Sequence, residues 1–229
     1  MIKIENVEVF GWESAIRGMR NPMNSWDKSD SDYHCEIEEY VESCEDCQWC
    51  SNPNDKHLVV GNNDLTLMKR LVKAGTDHRK FMRMIVVYAD VTAPLYWWKE
   101  ADTYKVGTVR NSCSTMHKIT EKAFTLDDFS HEHLIVASLN SLNRTIDDLN
   151  ACRDGYLNEE ISKNPEWKKE VWWQIIQLLP SSYNQRATLM LNYEVLANMY
   201  HSRKNHKLDE WVEFCKWIEA LPYSELITM

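Results

Sequence analysis

The run MRMIVVYADV at Met82–Val91 constrains this chain most. It is apolar and β-branched at successive positions, the pattern of a strand covered on both faces. Such a strand needs helices packed beside it, and the sequence on both sides supplies them. Upstream, Asn63 or Asp64 can cap a helix whose apolar face is Leu65, Met68, Leu71 and Val72, and Gly75 ends it. Downstream, Pro94 suits the first turn of a helix that carries LYWWKEADTY to about Tyr104. The following stretch, KVGTVRNSCSTMH, lacks apolar periodicity and is expected to be a loop bent at Gly107.

The second half reads as helix. Ile135, Leu139, Leu142, Ile146 and Leu149 step by alternating four and three residues, a helix-packing seam. Asn164-Pro165 opens another helix that closes at Leu179-Pro180. Two more are expected, from about Gln185 to Ser202 and from Leu208 to Leu221. At the amino terminus Ile2, Ile4, Val7 and Val9 suggest a strand, and Glu13–Met19 a short helical turn. The sum is an α-rich α+β single domain over residues 1–229.

One segment does not belong to this scheme. Residues from about 27 to 57 form an acidic, cysteine-bearing insertion, too long for an ordinary connector. Between Asp27 and Lys56 it holds ten acids and two lysines, so eight of the nine net negative charges of the chain lie there. The remainder is nearly neutral and lacks the basic face of a non-specific nucleic-acid binder, whereas a small phosphorylated ligand needs only a few local cations. No apolar run is long enough to span a membrane and no secretory signal opens the chain, so a cytoplasmic location is expected. It suits a bacterial protein, or a phage protein acting in its host.

Seven cysteines without a secretory context are expected to remain reduced. Cys35, Cys44, Cys47 and Cys50 cluster in the insertion, with His34 and His57 at its flanks. Four thiolates at these spacings could hold a structural zinc that folds the insertion. The alternatives are an acidic surface loop with free thiols and, with less support from the spacing, an iron–sulfur cluster. Trp97-Trp98 and Trp172-Trp173 suit stacking on a base or flavin, but helix packing or an oligomer interface is the commoner use. His78-Arg79-Lys80 between a helix end and a strand offers a phosphate-binding corner. Ser112, Cys113 and Ser114 could be nucleophiles, although no base is placed beside them by sequence.

The order of the pieces resembles the flavin-dependent thymidylate synthases. In that family a helix ends in Gly, a His-containing corner follows, a strand closes in V-x-A-P, and a helix leads to a loop with the motif RHRxxSxNExSxRY. The counterparts here are Gly75, His78, the strand to Val91, Ala93-Pro94 and the segment Tyr104–His117. Leu179-Pro180, Asn192 and Arg203 match the family's carboxyl-terminal LP, Asn and Arg, so the resemblance covers about 65–116 and 179–215. It implies a small mixed or antiparallel sheet packed on long helices. It assigns flavin (FAD) contacts to His78, Lys105 and Asn192, substrate contacts to Glu100, Asn111 and Arg203, and the catalytic position beside the base to Ser114 or Cys113. Folate, NADPH and a homotetramer with sites between subunits are implied too.

The signature departs from the family pattern. Thr103, Tyr104 and Lys105 stand for RHR, Thr108 for the first Ser, Ser112 for Glu, Met116 for Arg and His117 for Tyr. Ile176 replaces an upstream phosphate-binding Arg, and Glu100 a Gln. Thr and Met do not reproduce bidentate Arg–phosphate bonding. Three functions therefore follow as expectations: a divergent synthase that transfers a one-carbon group to C5 of a pyrimidine deoxynucleotide; an inactive nucleotide-binding protein of the same fold; or an interaction module built on the acidic insertion.

Overall fold

The computed structural model describes residues 1–35, 56–158, 160 and 163–229, and only the backbone of residues 34, 35, 56 and 57. The order of elements is β1 (Lys3–Phe10), α1 (Trp12–Arg20), β2 (Asp32–Cys35), β3 (Lys56–Val59), α2 (Asn62–Lys73), β4 (Val86–Pro94), α3 (Leu95–Ala101), β5 (Val109–Ser112), α4 (Val136–Leu157), α5 (Pro165–Leu178), β6 (Asn184–Asn192), α6 (Tyr193–Arg203), α7 (Asp209–Glu219) and α8 (Glu225–Thr228). Four strands form a sheet in the order β1-β4-β6-β5, and β2 and β3 form an antiparallel pair of their own. This is the small sheet among helices that was expected. Among the described residues no helix is long and apolar enough to cross a membrane.

Two compact units share the chain, and β1, β4, β6, α6 and α7 each pass from one into the other. The first comprises residues 1–7, 88–190 and 202–217. Its core includes one face of α4, where Leu142, Ile146 and Leu149 cluster with Ile175 of α5 and with Ile119, Phe124 and Phe129. The seam expected on α4 is buried only in that half: its first residue, Ile135, is 71% exposed. The start of α5 is as the sequence predicts. The Asn164 side chain accepts from the backbone N–H groups of Glu166 and Trp167, and Pro165 occupies the first turn.

The second unit comprises residues 8–87, 191–201 and 218–229. Trp12 sets its ring edge-on to Tyr193 and Tyr223 at centroid distances of 5.3 and 5.1 Å. Gly11 precedes α1 at φ +92°, and a Cβ there would lie 2.0 Å from the Met84 carbonyl oxygen, so only glycine fits. Gly75 takes φ +100° just past the end of α2, as expected. The other end of α2 differs from expectation. Gly61 holds the cap position, and the Asp30 carboxylate reaches over to accept the N–H groups of Asn63 and Asp64. Asp64 is buried inside the helix and faces Arg20 at 2.6 Å, because a buried guanidinium requires a counter-charge more than a helix end requires a cap.

Three further expectations are corrected. β4 buries one face, not two: Val87, Ala89, Val91 and Ala93 are inside, while Tyr88 points outward at 38% exposure and Asp90 accepts from Asn6, Arg186 and Thr188. Residues 184–192, expected to be helical, form β6. Gln185, Ala187, Leu189 and Leu191 are buried in strict alternation, a period of two hidden by residues that also favour helices. The segment expected to be a loop contains β5, whose residues Val109 to Ser112 pair antiparallel with Met190 to Ala187. An edge strand this short carries no period of its own, and its partner supplies the order.

Candidate functional site

In the first unit the sequence converges on a paired Glu100 and Arg203. Glu100 lies in the last turn of α3, which Trp97 and Trp98 anchor in the core, and Arg203 is the last residue of α6. The Arg203 guanidinium donates through NH1 to Glu100 Oε2 at 2.5 Å and through Nε to the Tyr104 hydroxyl at 3.0 Å. The same carboxylate oxygen accepts Trp211 Nε1 at 3.1 Å and faces His206 Nε2 at 3.3 Å. The guanidinium carbon lies 4.9 Å from the ring centroid of Trp211 and 5.7 Å from that of Tyr104. Glu100 retains 35% side-chain exposure and Arg203 20%. The cluster is thus a cation framed by two rings and balanced by one acid, open enough to exchange a partner.

A second arginine organises the strand beside it in sequence. Arg110 on β5 lies 3.9 Å over the Trp98 ring, donates to both oxygens of Asp102 at 2.8 and 2.7 Å, and reaches the Gln185 side-chain oxygen. Gln185 in turn donates to the Cys113 carbonyl at 2.8 Å, and the Cys113 N–H donates to the Arg186 carbonyl at 2.9 Å. The backbone that presents Asn111, Cys113 and Ser114 is therefore held from two sides.

No protein-family model matches the sequence, and no curated protein does. Solved structures do match. A crystal structure of thymidylate synthase X from Helicobacter pylori with FAD and dUMP aligns over 100% of both chains with a TM-score of 0.61 at 15% identity. A second structure, the flavin-dependent thymidylate synthase ThyX of the same organism complexed with FAD and dUMP, aligns over 98% of both chains with a TM-score of 0.59 at 16% identity. The fold is that of the flavin-dependent thymidylate synthases.

Within this thymidylate synthase fold, the residues expected at the site divide between the two units. Glu100, Lys105, Asn111, Cys113, Ser114 and Arg203 belong to the first, His78 and Asn192 to the second. Of these, Glu100 and Arg203 are bonded to each other. Asn111 is exposed on β5 opposite Thr188. Cys113 and Ser114 are exposed, and the Ser114 hydroxyl accepts the His117 backbone N–H at 3.1 Å, which closes a turn. Among the described residues neither has a His or carboxylate bonded to it as a base. Lys105 and His78 are exposed. Asn192 uses its side-chain oxygen to accept the Val195 N–H at 2.9 Å and so opens α6.

The phosphate corner expected at His78-Arg79-Lys80 is altered. Arg79 is committed to Glu194, with Nε 3.0 Å from Oε2 as a close charge contact and NH2 donating to Oε1 at 3.2 Å. Both side chains are largely buried, so this cation balances an internal acid. The tryptophan pairs divide: Trp97 and Trp98 are core residues, whereas Trp173 is 42% exposed. Cys44, Cys47, Cys50 and the side chain of Cys35, expected as zinc ligands, lie outside the described residues. Among the described residues no three His, Cys, Asp or Glu are placed to hold a metal. Sequence reasoning missed Arg110, His206 and Trp211. The first lay in a stretch read as loop, and the others meet Glu100 only through the fold.

Proposed function

We propose that this chain is a divergent flavin-dependent thymidylate synthase-like protein, in which FAD assists transfer of a methyl or hydroxymethyl group to C5 of a pyrimidine deoxynucleotide. The observation that carries the reading is the full-length fold match to enzymes solved with FAD and dUMP. Arg203 is the substrate-phosphate ligand in this reading, released from Glu100 when the anion arrives, and Asn111 and Ser114 or Cys113 lie toward the base. Lys105 and His78 are exposed donors whose chemistry fits the diphosphate of FAD, while Asn192 contributes mainly by shaping the start of α6. When bound, the flavin supplies hydride to a one-carbon unit delivered from a folate, with NADPH as reductant. The protein supplies orientation and fixed charge. A homotetramer, a cytoplasmic location and a structural zinc on Cys35, Cys44, Cys47 and Cys50 belong to the same proposal.

A second reading is a nucleotide-binding protein of this fold without synthase activity. It is favoured by the exposed Ser114 and Cys113, which among the described residues have no His or carboxylate bonded to them as a base. The absorption spectrum between 300 and 550 nm separates the two. The synthase reading expects flavin bands at about one FAD per subunit after loading and desalting, and a C5-substituted product from dUMP with reduced flavin and methylene-folate. Protein that stays colourless after FAD loading overturns it.

A further inference from the structure

The second unit holds a cavity of about 790 Å³ that is lined by none of the residues assigned above to flavin or substrate. That volume suits a small organic molecule. Four aromatic residues, Phe10, Trp12, Tyr33 and Tyr223, form much of its wall, and Glu13 is the carboxylate among its described lining residues. Among the described residues the lining holds no Lys, Arg or His. Phe10 and Tyr33 are 54% and 47% exposed, so two of the rings stay open to a ligand. Aromatic rings attract a cation over their faces, and a carboxylate beside them adds its own charge to that attraction.

The frame is fixed before any ligand arrives. Tyr223 packs edge-on against Trp12, and its hydroxyl accepts the Val60 backbone N–H at 2.8 Å. Gly11, between Phe10 and Trp12, is pinned against the Met84 carbonyl where no side chain fits. Tyr33 on β2 pairs with Leu58 of β3, which also lines the cavity. Glu13, by contrast, is lightly used. It accepts the Tyr33 hydroxyl through Oε2 at 3.4 Å and Arg17 NH1 through Oε1 at 3.3 Å, both long for hydrogen bonds. The Glu13 and Arg17 side chains are each 62% exposed, and an exposed pair of this kind yields readily to a competing cation. The chain between β2 and β3 carries charge of the same sign as Glu13, since residues 36–55 include seven acids and no lysine or arginine. It leaves and re-enters the fold at the strand pair that supplies Tyr33 and Leu58. Negative charge tethered there raises the local concentration of cations.

We propose that this cavity binds a small organic cation, an alkylated ammonium group on a short apolar stem, held by the rings and the Glu13 carboxylate. The site belongs to the second unit, whereas the Arg203–Glu100 cluster belongs to the first, and it does not rest on flavin binding. The test uses the full chain without flavin, choline as the probe, and 3,3-dimethyl-1-butanol as a control of the same shape without the charge. Calorimetric titration at low salt is expected to show saturable choline binding about tenfold tighter than that of the control. Glu13→Gln should weaken choline binding about fivefold and Tyr33→Leu about threefold, with binding of the neutral control changed by less than about twofold. Arg17→Gln removes the competing cation and should tighten choline binding about two- to threefold.

The wild-type comparison of choline with its neutral control needs no variant, so it stands whether or not a substituted chain folds. No saturable choline binding, or equal affinity for the two compounds, overturns the proposal. So does unchanged choline affinity in folded Glu13→Gln, or a loss of affinity in folded Arg17→Gln. FAD loading is read separately. A protein that stays colourless yet binds choline leaves the cavity standing while the synthase reading falls, and a flavin-loaded protein that ignores choline does the reverse.

Discussion

Arg20–Asp64 and Arg203–Glu100 have the same chemistry and different uses. In the second unit, Arg20 and Asp64 are sealed, at 4% and 0% side-chain exposure. Every edge of that guanidinium is engaged: Nε with Asp64, NH1 with the Ser25 carbonyl and NH2 with the Lys28 carbonyl. Asp64 is satisfied in turn by the hydroxyls of Ser29 and Ser31 at 2.7 and 2.6 Å. In the first unit, the Arg203–Glu100 pair is framed by rings and retains access to water. A sealed pair with all its bonds made acts as a structural clamp, since breaking it strands a buried charge. An open pair is worth little to stability and is free to trade one partner for a ligand.

The sharpest way to break this comparison is Asp64→Ala. It should cost about 3–5 kcal/mol, a fall in Tm on the order of 10 °C, measured by denaturant or thermal unfolding. A cost below about 1 kcal/mol would mean that the second unit does not depend on this clamp. Acid titration sharpens the same point. Burial pushes the Asp64 carboxyl up, but the hydroxyls of Ser31 and Ser29 together with Arg20 outweigh it and hold it below the ordinary aspartate range. A carboxyl depressed in the folded state stabilises fully above its unfolded value, near 4, and loses that contribution as pH falls through the lower folded value. The stability gap between wild type and Asp64→Asn should therefore narrow as pH is lowered from about 5 to about 2. A constant gap would contradict the role of the charge.

The smallest expected effect belongs to the open pair. Glu100→Gln should change stability by less than about 1 kcal/mol. It should also tighten dUMP binding at Arg203 roughly three- to tenfold, measured by calorimetric titration, because a bond to charged carboxylate no longer competes with phosphate. Weaker binding would reverse the assignment and make Glu100 a ligand contact in its own right.

The division between sequence and tertiary structure follows the range of the forces involved. Signals carried by neighbours in sequence were legible: Gly75 past the end of α2, the Asn164-Pro165 start of α5, the presence of a strand at β1, and the Leu142, Ile146 and Leu149 face of α4. Glu100 and Arg203 were expected as substrate contacts, but their pairing with each other was out of reach, since 103 residues separate them in the chain. β6 was misread because Gln185, Ala187, Leu189 and Leu191 suit a helix by propensity, and the ladders to β4 and β5 make them a strand. The partners of Arg79 and Arg20 were equally out of reach. A helix cap or a period is decided within a turn or two of chain, so composition and spacing determine it. The counter-charge of an arginine is decided by which carboxylate the folded backbone brings within about 3 Å, and only the tertiary structure sets that.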